Sequence, residues 1–165
     1  LLYLSRMETR NMGISMQNID IGAFLGNYVK GKREVINSLQ EEIIADTKGI
    51  TAKVSIDSEQ FQRILDNLVE NSRKYGETTP LKMKIILEKT PKGLSVCFRD
   101  NGVGVPEEKL PHIFEEFYRG DESRNKKEGN GLGLYIVKYL MEAMGGSVRA
   151  ENADGLAVYL ELREV

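Results

Sequence analysis

The chain is short of several things, and each scarcity excludes a class of protein. One cysteine, Cys97, among 165 residues leaves no partner for an internal disulfide and fits a reducing compartment. One histidine, His112, beside that cysteine supplies too few ligands for a His/Cys zinc site. No apolar run approaches the roughly 20 residues that span a bilayer, and no secretory signal pattern is visible. Neither sign of charge is in excess. The 23 Lys and Arg against 25 Asp and Glu leave a formal net charge of -2, which speaks against a general nucleic-acid binder. There is no internal repeat and no low-complexity tract.

What remains is an ordinary globular balance, 41% hydrophobic and 29% charged, enough to close one core. Leu1, Leu4 and Met7 recur at helical spacing, which predicts the last turns of a helix. Ile14, Met16, Ile19 and Ile21 predict a short strand. Phe24, Leu25, Tyr28, Val29, Val35 and Ile36 mark one face of a helix over 22–38. Strand-like runs at 42–45 and 53–56 flank Gly49, the arrangement of a hairpin. Asp57 or Ser58 is a candidate N-cap for a helix over 58–75, with Gly76 closing it. Strands over 81–88 and 94–100, a helix over 132–144 and strands over 147–151 and 157–162 complete the order. Short links between strand pairs predict an α/β (α+β) fold: a mixed, mainly antiparallel sheet with helices on one face. The irregular, Gly- and charge-rich stretch between Gly102 and Asn130 is of a length that usually serves function. Cys97, offset by one from Val96 and Phe98, is expected on the solvent-facing side of the sheet.

Four constellations bear on chemistry. Gly26, Gly31 and Lys32 match most of a P-loop pattern, but Arg33 stands where Ser or Thr belongs. The segment also lies inside a predicted helix, whose amides are already used. On the helix over 58–75, Asn67, Asn71 and Lys74 share a polar strip beside the apolar stripe. An amide oxygen can ligate Mg²⁺ and a lysine can meet phosphate; alone, such a strip is the ordinary flank of an amphipathic helix. Asp100 ends a strand on its buried face and is followed by Gly102 and Gly104. A buried carboxylate needs a donor, which the exocyclic amine of adenine would supply, and the glycines would let backbone approach a flat ring. The last constellation is Gly129-Asn130-Gly131-Leu132-Gly133-Leu134, three alternating glycines running into a helix N-terminus, a seat for phosphate.

The P-loop match set aside, the other three pieces, taken in order with Phe114-Glu115-Glu116-Phe117-Tyr118-Arg119, resemble the catalytic domain of sensor histidine kinases, within the Bergerat-type ATPases. Residues 67–75 are similar to the N box, 100–104 to the first glycine box, 114–119 to the F box and 129–134 to the second glycine box; residues 1–10 resemble the tail of the second dimerisation helix, leaving 11–165 as the ATP-binding domain. The resemblance implies a two-layer sandwich with ATP beneath a mobile lid at about 107–130. It implies Mg²⁺ on Asn71, phosphate contacts from Lys74 and Arg119, and Tyr75 lining the pocket. It also implies Asp100 on the adenine amine, and nucleotide contacts from Asn67, Gly102, Gly104, Gly129, Gly131, Leu132, Gly133 and Leu134. Ser72 stands where the family usually has Ala, a change expected to be silent.

The reaction implied is transfer of the γ-phosphoryl of Mg-ATP, which depends mainly on positioning and charge neutralisation. In the topoisomerase and chaperone relatives a Glu four residues before the metal-binding Asn activates water. Asn67 holds that position here, and an amide is no general base, so poor hydrolysis is expected. His112 lacks the helical, acid-flanked setting of the family's phosphoacceptor. The acceptor is therefore expected on a dimerisation domain outside this chain, in a homodimeric, membrane-anchored parent that passes phosphate to a response regulator. The domain itself is expected to be cytoplasmic, without direct membrane contact. Three rival readings are weighed against this: a serine kinase of the anti-sigma-factor type, a non-enzymatic adaptor that keeps the fold, and a conformational ATPase.

Overall fold

A computed structural model describes residues 13–116 and 133–165. Its elements are β1 (Gln17–Asp20), α1 (Ile21–Ser38), β2 (Glu42–Asp46), β3 (Lys53–Ile56), α2 (Ser58–Tyr75), β4 (Lys82–Thr90), β5 (Gly93–Asp100), α3 (Gly133–Ala143), β6 (Ser147–Asn152) and β7 (Leu156–Leu162). A 3₁₀ turn, Leu110–His112, follows β5.

Five strands form the main sheet in the order β2-β4-β5-β7-β6. Only β2 and β4 run parallel; every other neighbour is antiparallel. The alternation read in the sequence sets the layers. Met83, Ile85 and Leu87 of β4, Leu94, Val96 and Phe98 of β5, and Val158 and Leu160 of β7 point into one core. They meet Leu25 and Val29 of α1, Phe61, Ile64, Leu65 and Leu68 of α2, and Val137, Leu140 and Met141 of α3 there. Each such side chain removed from water contributes about 1.5–3 kcal/mol, so this shared face is what joins sheet to helices.

The helix ends are set locally. Asp20 caps α1 by accepting from the Ala23 amide at 3.1 Å, so the helix takes in Ile21 and the strand before it begins only at Gln17, later than the apolar pattern placed it. Asp57, rather than Ser58, caps α2, accepting from the amides of Glu59 and Gln60. Its other oxygen accepts from Ser15 N at 2.8 Å, and this ties the segment before β1 to the start of α2.

Three expectations need correction. The runs around Gly49 do not form a hairpin. Lys48 and Gly49 do turn the chain, both with positive φ, but β2 joins the main sheet beside β4 while β3 pairs with β1 in a separate two-stranded sheet. The strands diverge because each delivers its own apolar residues, Ile43 from one and Val54 and Ile56 from the other, to the same core. Gly76 closes α2 but keeps right-handed helical dihedrals; the positive φ falls on Glu77. Cys97 lies on the sheet face away from the helices, yet it is only 4% exposed. Tyr159 and Ile86 are its cross-strand neighbours, and Arg149 stacks on the Tyr159 ring at 4.0 Å. Burial pushes the Cys97 thiol above its ordinary pKa, against the opposing pull of Arg99 and of a hydrogen bond with Tyr159.

Candidate functional site

Asp100 is the centre of the site. It continues the inward face of β5 and is 8% exposed. A carboxylate at that depth needs donors, and three are in place. Oδ1 accepts from the amides of Gly102 at 2.9 Å and Leu156 at 3.1 Å. Oδ2 accepts from the Ser72 hydroxyl at 2.6 Å. A carboxylate has about four acceptor directions, so among the described residues one direction on Oδ2 remains. Ser72, where the family usually has Ala, is therefore bonded to the very group that the sequence reading puts on the base.

The glycines around Asp100 permit backbone to approach backbone. A Cβ on Gly102 would lie 2.7 Å from both Cα and O of Gly76, where Val103 N donates to the Gly76 carbonyl at 2.9 Å. Gly104 has φ +74, and a Cβ there would lie 2.6 Å from Asn152 Oδ1. Packing inside the protein by itself requires a glycine at both positions. Gly155, at φ +128, places its α-carbon so close to the Asp100 carbonyl that any side chain would collide with it.

The β6–β7 turn was read in the sequence only as a link, and it turns out to brace the site. Asn152 satisfies both backbone groups of Val105, accepting from its N at 2.9 Å and donating to its O at 2.6 Å. Arg99 donates to the Ala153 carbonyl at 2.6 Å, and Leu156 holds Asp100. No spacing rule would have found Asn152 or Leu156, because their partners lie 47 and 56 residues away.

On α2, Asn67, Asn71, Lys74 and Tyr75 are half-buried while Glu70 and Arg73 are exposed, which matches the polar strip read from the helical period. Asn67 in that strip faces the start of α3: a Cβ on Gly133 would stand 3.9 Å from its Oδ1. Gly133 opens α3, with Leu134 following it against the core. Gly26 and Gly31 lie in mid-helix with open space around them, and Lys32 pairs with Asp66 at 3.0 Å, so the P-loop match carries no site. A cavity of about 230 Å³ opens beside Ser72, lined also by Lys74, Glu77 and Leu81. His112 is exposed, its Nδ1 2.7 Å from Glu115 Oε2. Arg119, Gly129, Gly131 and Leu132, the helix tail expected over 1–10 and most of the expected lid lie outside the described residues.

The donor set bears on a metal as follows. Among the described residues no group of three or more His, Cys, Asp or Glu side chains stands together to hold an ion. The half-buried Asn71 amide is a hard oxygen ligand of the kind Mg²⁺ accepts, and Mg²⁺ commonly takes one or two protein ligands together with substrate phosphates.

Residues 56–165 match the family model described as histidine kinase-, DNA gyrase B-, and HSP90-like ATPase. Sensor histidine kinase YkoH of Bacillus subtilis (strain 168) is 36% identical over 157 residues, 91% of this chain and 34% of that protein. Sensor protein kinase WalK of Staphylococcus aureus is 29% identical over 158 residues, 94% of this chain and 37% of that protein. The chain thus spans about a third of the length of these relatives. Among solved structures, full-length ShkA in complex with AMPPNP superposes with a TM-score of 0.82 at 23% identity, covering 99% of this chain and 34% of that one. The catalytic domain of histidine kinase ThkA superposes with a TM-score of 0.74 at 24% identity, covering 90% of this chain and 97% of that one. Both likenesses are of fold.

Proposed function

The chain belongs to the histidine kinase-, DNA gyrase B-, and HSP90-like ATPase family, and from that premise we propose that it is the ATP-binding catalytic domain of a sensor histidine kinase. Its reaction is transfer of the γ-phosphoryl of Mg-ATP to a histidine on a dimerisation domain outside this chain. The observation that carries the reading is Asp100, a buried carboxylate whose three protein donors leave one acceptor direction open. The names of two curated relatives support it.

In this reading the chain's own residues bind and orient. Asp100 accepts from the 6-amino group of adenine. Tyr75 lines the pocket. Asn71 offers its amide oxygen to Mg²⁺, which when bound neutralises phosphate charge. Lys74 approaches the phosphates, and Arg119 joins it from the F box. By the resemblance, Gly131 and Gly133 offer their amides to the phosphate chain; Gly133 opens α3, and a helix N-terminus favours anions. Gly102 and Gly104, held by Gly76 and Asn152, shape the wall next to Asp100. Asn67 lacks a carboxylate with which to deprotonate water, so the bound nucleotide waits for a better nucleophile. The parent is a homodimer, anchored in the cell membrane and paired with a response regulator; no helix among the described residues is long and apolar enough to cross a membrane.

Titration calorimetry with Mg-ATP, paired with a steady-state hydrolysis assay, tests the proposal. Saturable binding with hydrolysis near background is expected. Absence of binding by folded protein would remove the kinase reading, and fast turnover would replace it with a conformational ATPase.

A further inference from the structure

Ser72 is 4% exposed, and its hydroxyl does not do what a helical serine usually does. Mid-helix serines commonly bond back to the carbonyl one turn earlier. This one reaches out of α2 to Asp100 Oδ2, across 28 residues of sequence, at 2.6 Å. A hydroxyl has one proton, and here it is committed to the carboxylate. Oδ1 is filled by the amides of Gly102 and Leu156. The pair therefore turns only acceptors outward: the remaining direction on Oδ2 and the lone pairs of Ser72 Oγ.

We propose that Ser72 is a positioning residue for base recognition, fixing Asp100 Oδ2 as an acceptor aimed at a 6-amino purine. The proposal rests on the reading of Asp100 as the residue that meets the base. The two amides on Oδ1 resist rotation about the Cβ–Cγ bond, but Oδ2, which moves with that planar group, has no bond of its own without Ser72. The Ser72 hydroxyl pins the other end, so the open direction on Oδ2 is set before a nucleotide arrives. A preset acceptor avoids the cost of ordering it on binding. An acceptor-only pair also rejects a 6-oxo purine, which presents an oxygen where adenine presents an amine, and a site with unpaired polar groups discriminates strongly. Without the hydroxyl, Oδ2 has no protein donor among the described residues and both the aim and the selectivity relax.

The test compares ATP with purine riboside triphosphate, which lacks the 6-amino group, by calorimetry on wild type, Ser72→Ala, Ser72→Cys and Ser72→Thr. Wild type is expected to prefer ATP. Ser72→Ala should weaken ATP by about tenfold, the order of one hydrogen bond to a charged group, while the analogue stays within about twofold. Ser72→Cys keeps the volume with a poor donor and should behave like Ala, which keeps the test alive if the alanine variant does not fold. Ser72→Thr retains the hydroxyl and should recover most of the ATP preference. Equal loss of both nucleotides would make Ser72 a packing residue only, and an unchanged ATP affinity would make its bond idle; either overturns the proposal while leaving Asp100 in place. A folded wild type with no preference for ATP over the analogue would overturn the reading of Asp100 itself, and this proposal with it.

Discussion

Replacing Asp100 with asparagine probes the site with almost no change in volume. The side-chain amide has one oxygen and one NH₂ where the carboxylate has two oxygens. The surroundings decide which way it lies. Gly102 N and Leu156 N both donate to Oδ1, so an NH₂ in that place would face two donors. The amide oxygen must take the Oδ1 position, and the NH₂ the Oδ2 position. Ser72 can then rotate its hydroxyl to accept, so the fold keeps its three contacts. A nucleotide fares differently: the adenine amine meets an N–H instead of an acceptor. The loss is a hydrogen bond to a charged group, about 1.5–3 kcal/mol, together with donors left facing one another, about 1–3 kcal/mol more. A total near 3 kcal/mol corresponds to roughly 150-fold in affinity. Calorimetry on Asp100→Asn, with the urea midpoint measured alongside, reads both halves of the argument. A folded variant that binds ATP within threefold of wild type would refute the placement of the base on Asp100. A variant that loses the fold along with binding would refute the claim that the three contacts survive.

Four further outcomes are expected. Gly155→Ala puts a methyl against the Asp100 carbonyl at φ +128 and should cost about 2 kcal/mol or more in urea denaturation, with ATP binding weakened as Asp100 shifts; an unchanged midpoint would show that the turn gives way freely. Asn71→Ala should abolish the gain in ATP affinity on adding Mg²⁺ while leaving metal-free binding alone, and a retained Mg²⁺ dependence would move the ligand elsewhere. Native Cys97 should resist thiol reagents at neutral pH because it is buried and its pKa is raised; Tyr159→Ala should unmask it, and fast labelling of wild type would contradict the burial. Tyr159 donates to Glu151 at 2.6 Å, and this bond, followed by burial, pushes its phenol up to about 12. A raised folded-state pKa means that its contribution to stability is complete below pH 10 and is lost as pH rises through about 12. A spectroscopic titration of wild type against Tyr159→Phe should show one tyrosine missing from the late phase; a missing ordinary phenol near pH 10 would contradict the bond.

The contacts at Asp100 come from three places in the chain. Ser72 arrives from α2, Gly102 from the loop after β5, and Leu156 from the start of β7. The same β6–β7 turn that supplies Leu156 also clamps Val105 through Asn152. Asp100, the proposed contact to the base, and the segment that leads into the expected lid thus share one support, and a change in that turn reaches both.

The sequence by itself determined whatever depends on near neighbours. The helical period over 58–75 placed α2 and its polar strip, the period of two put Cys97 on the face opposite Val96 and Phe98, and Asp57 or Ser58 marked a cap, because caps and side-chain alternation are set within a few residues. The four motifs were readable for the same reason: each is a short run of residue types. The tertiary structure alone decided which strands pair, since β2 and β3 adjoin in sequence and part in space, and loop length does not encode a sheet partner. It decided that Gly102 and Gly104 serve close packing, that Tyr159 roofs Cys97, and that Ser72 holds Asp100. Each of these joins residues far apart in the chain, and such contacts exist only once the core has brought the elements together.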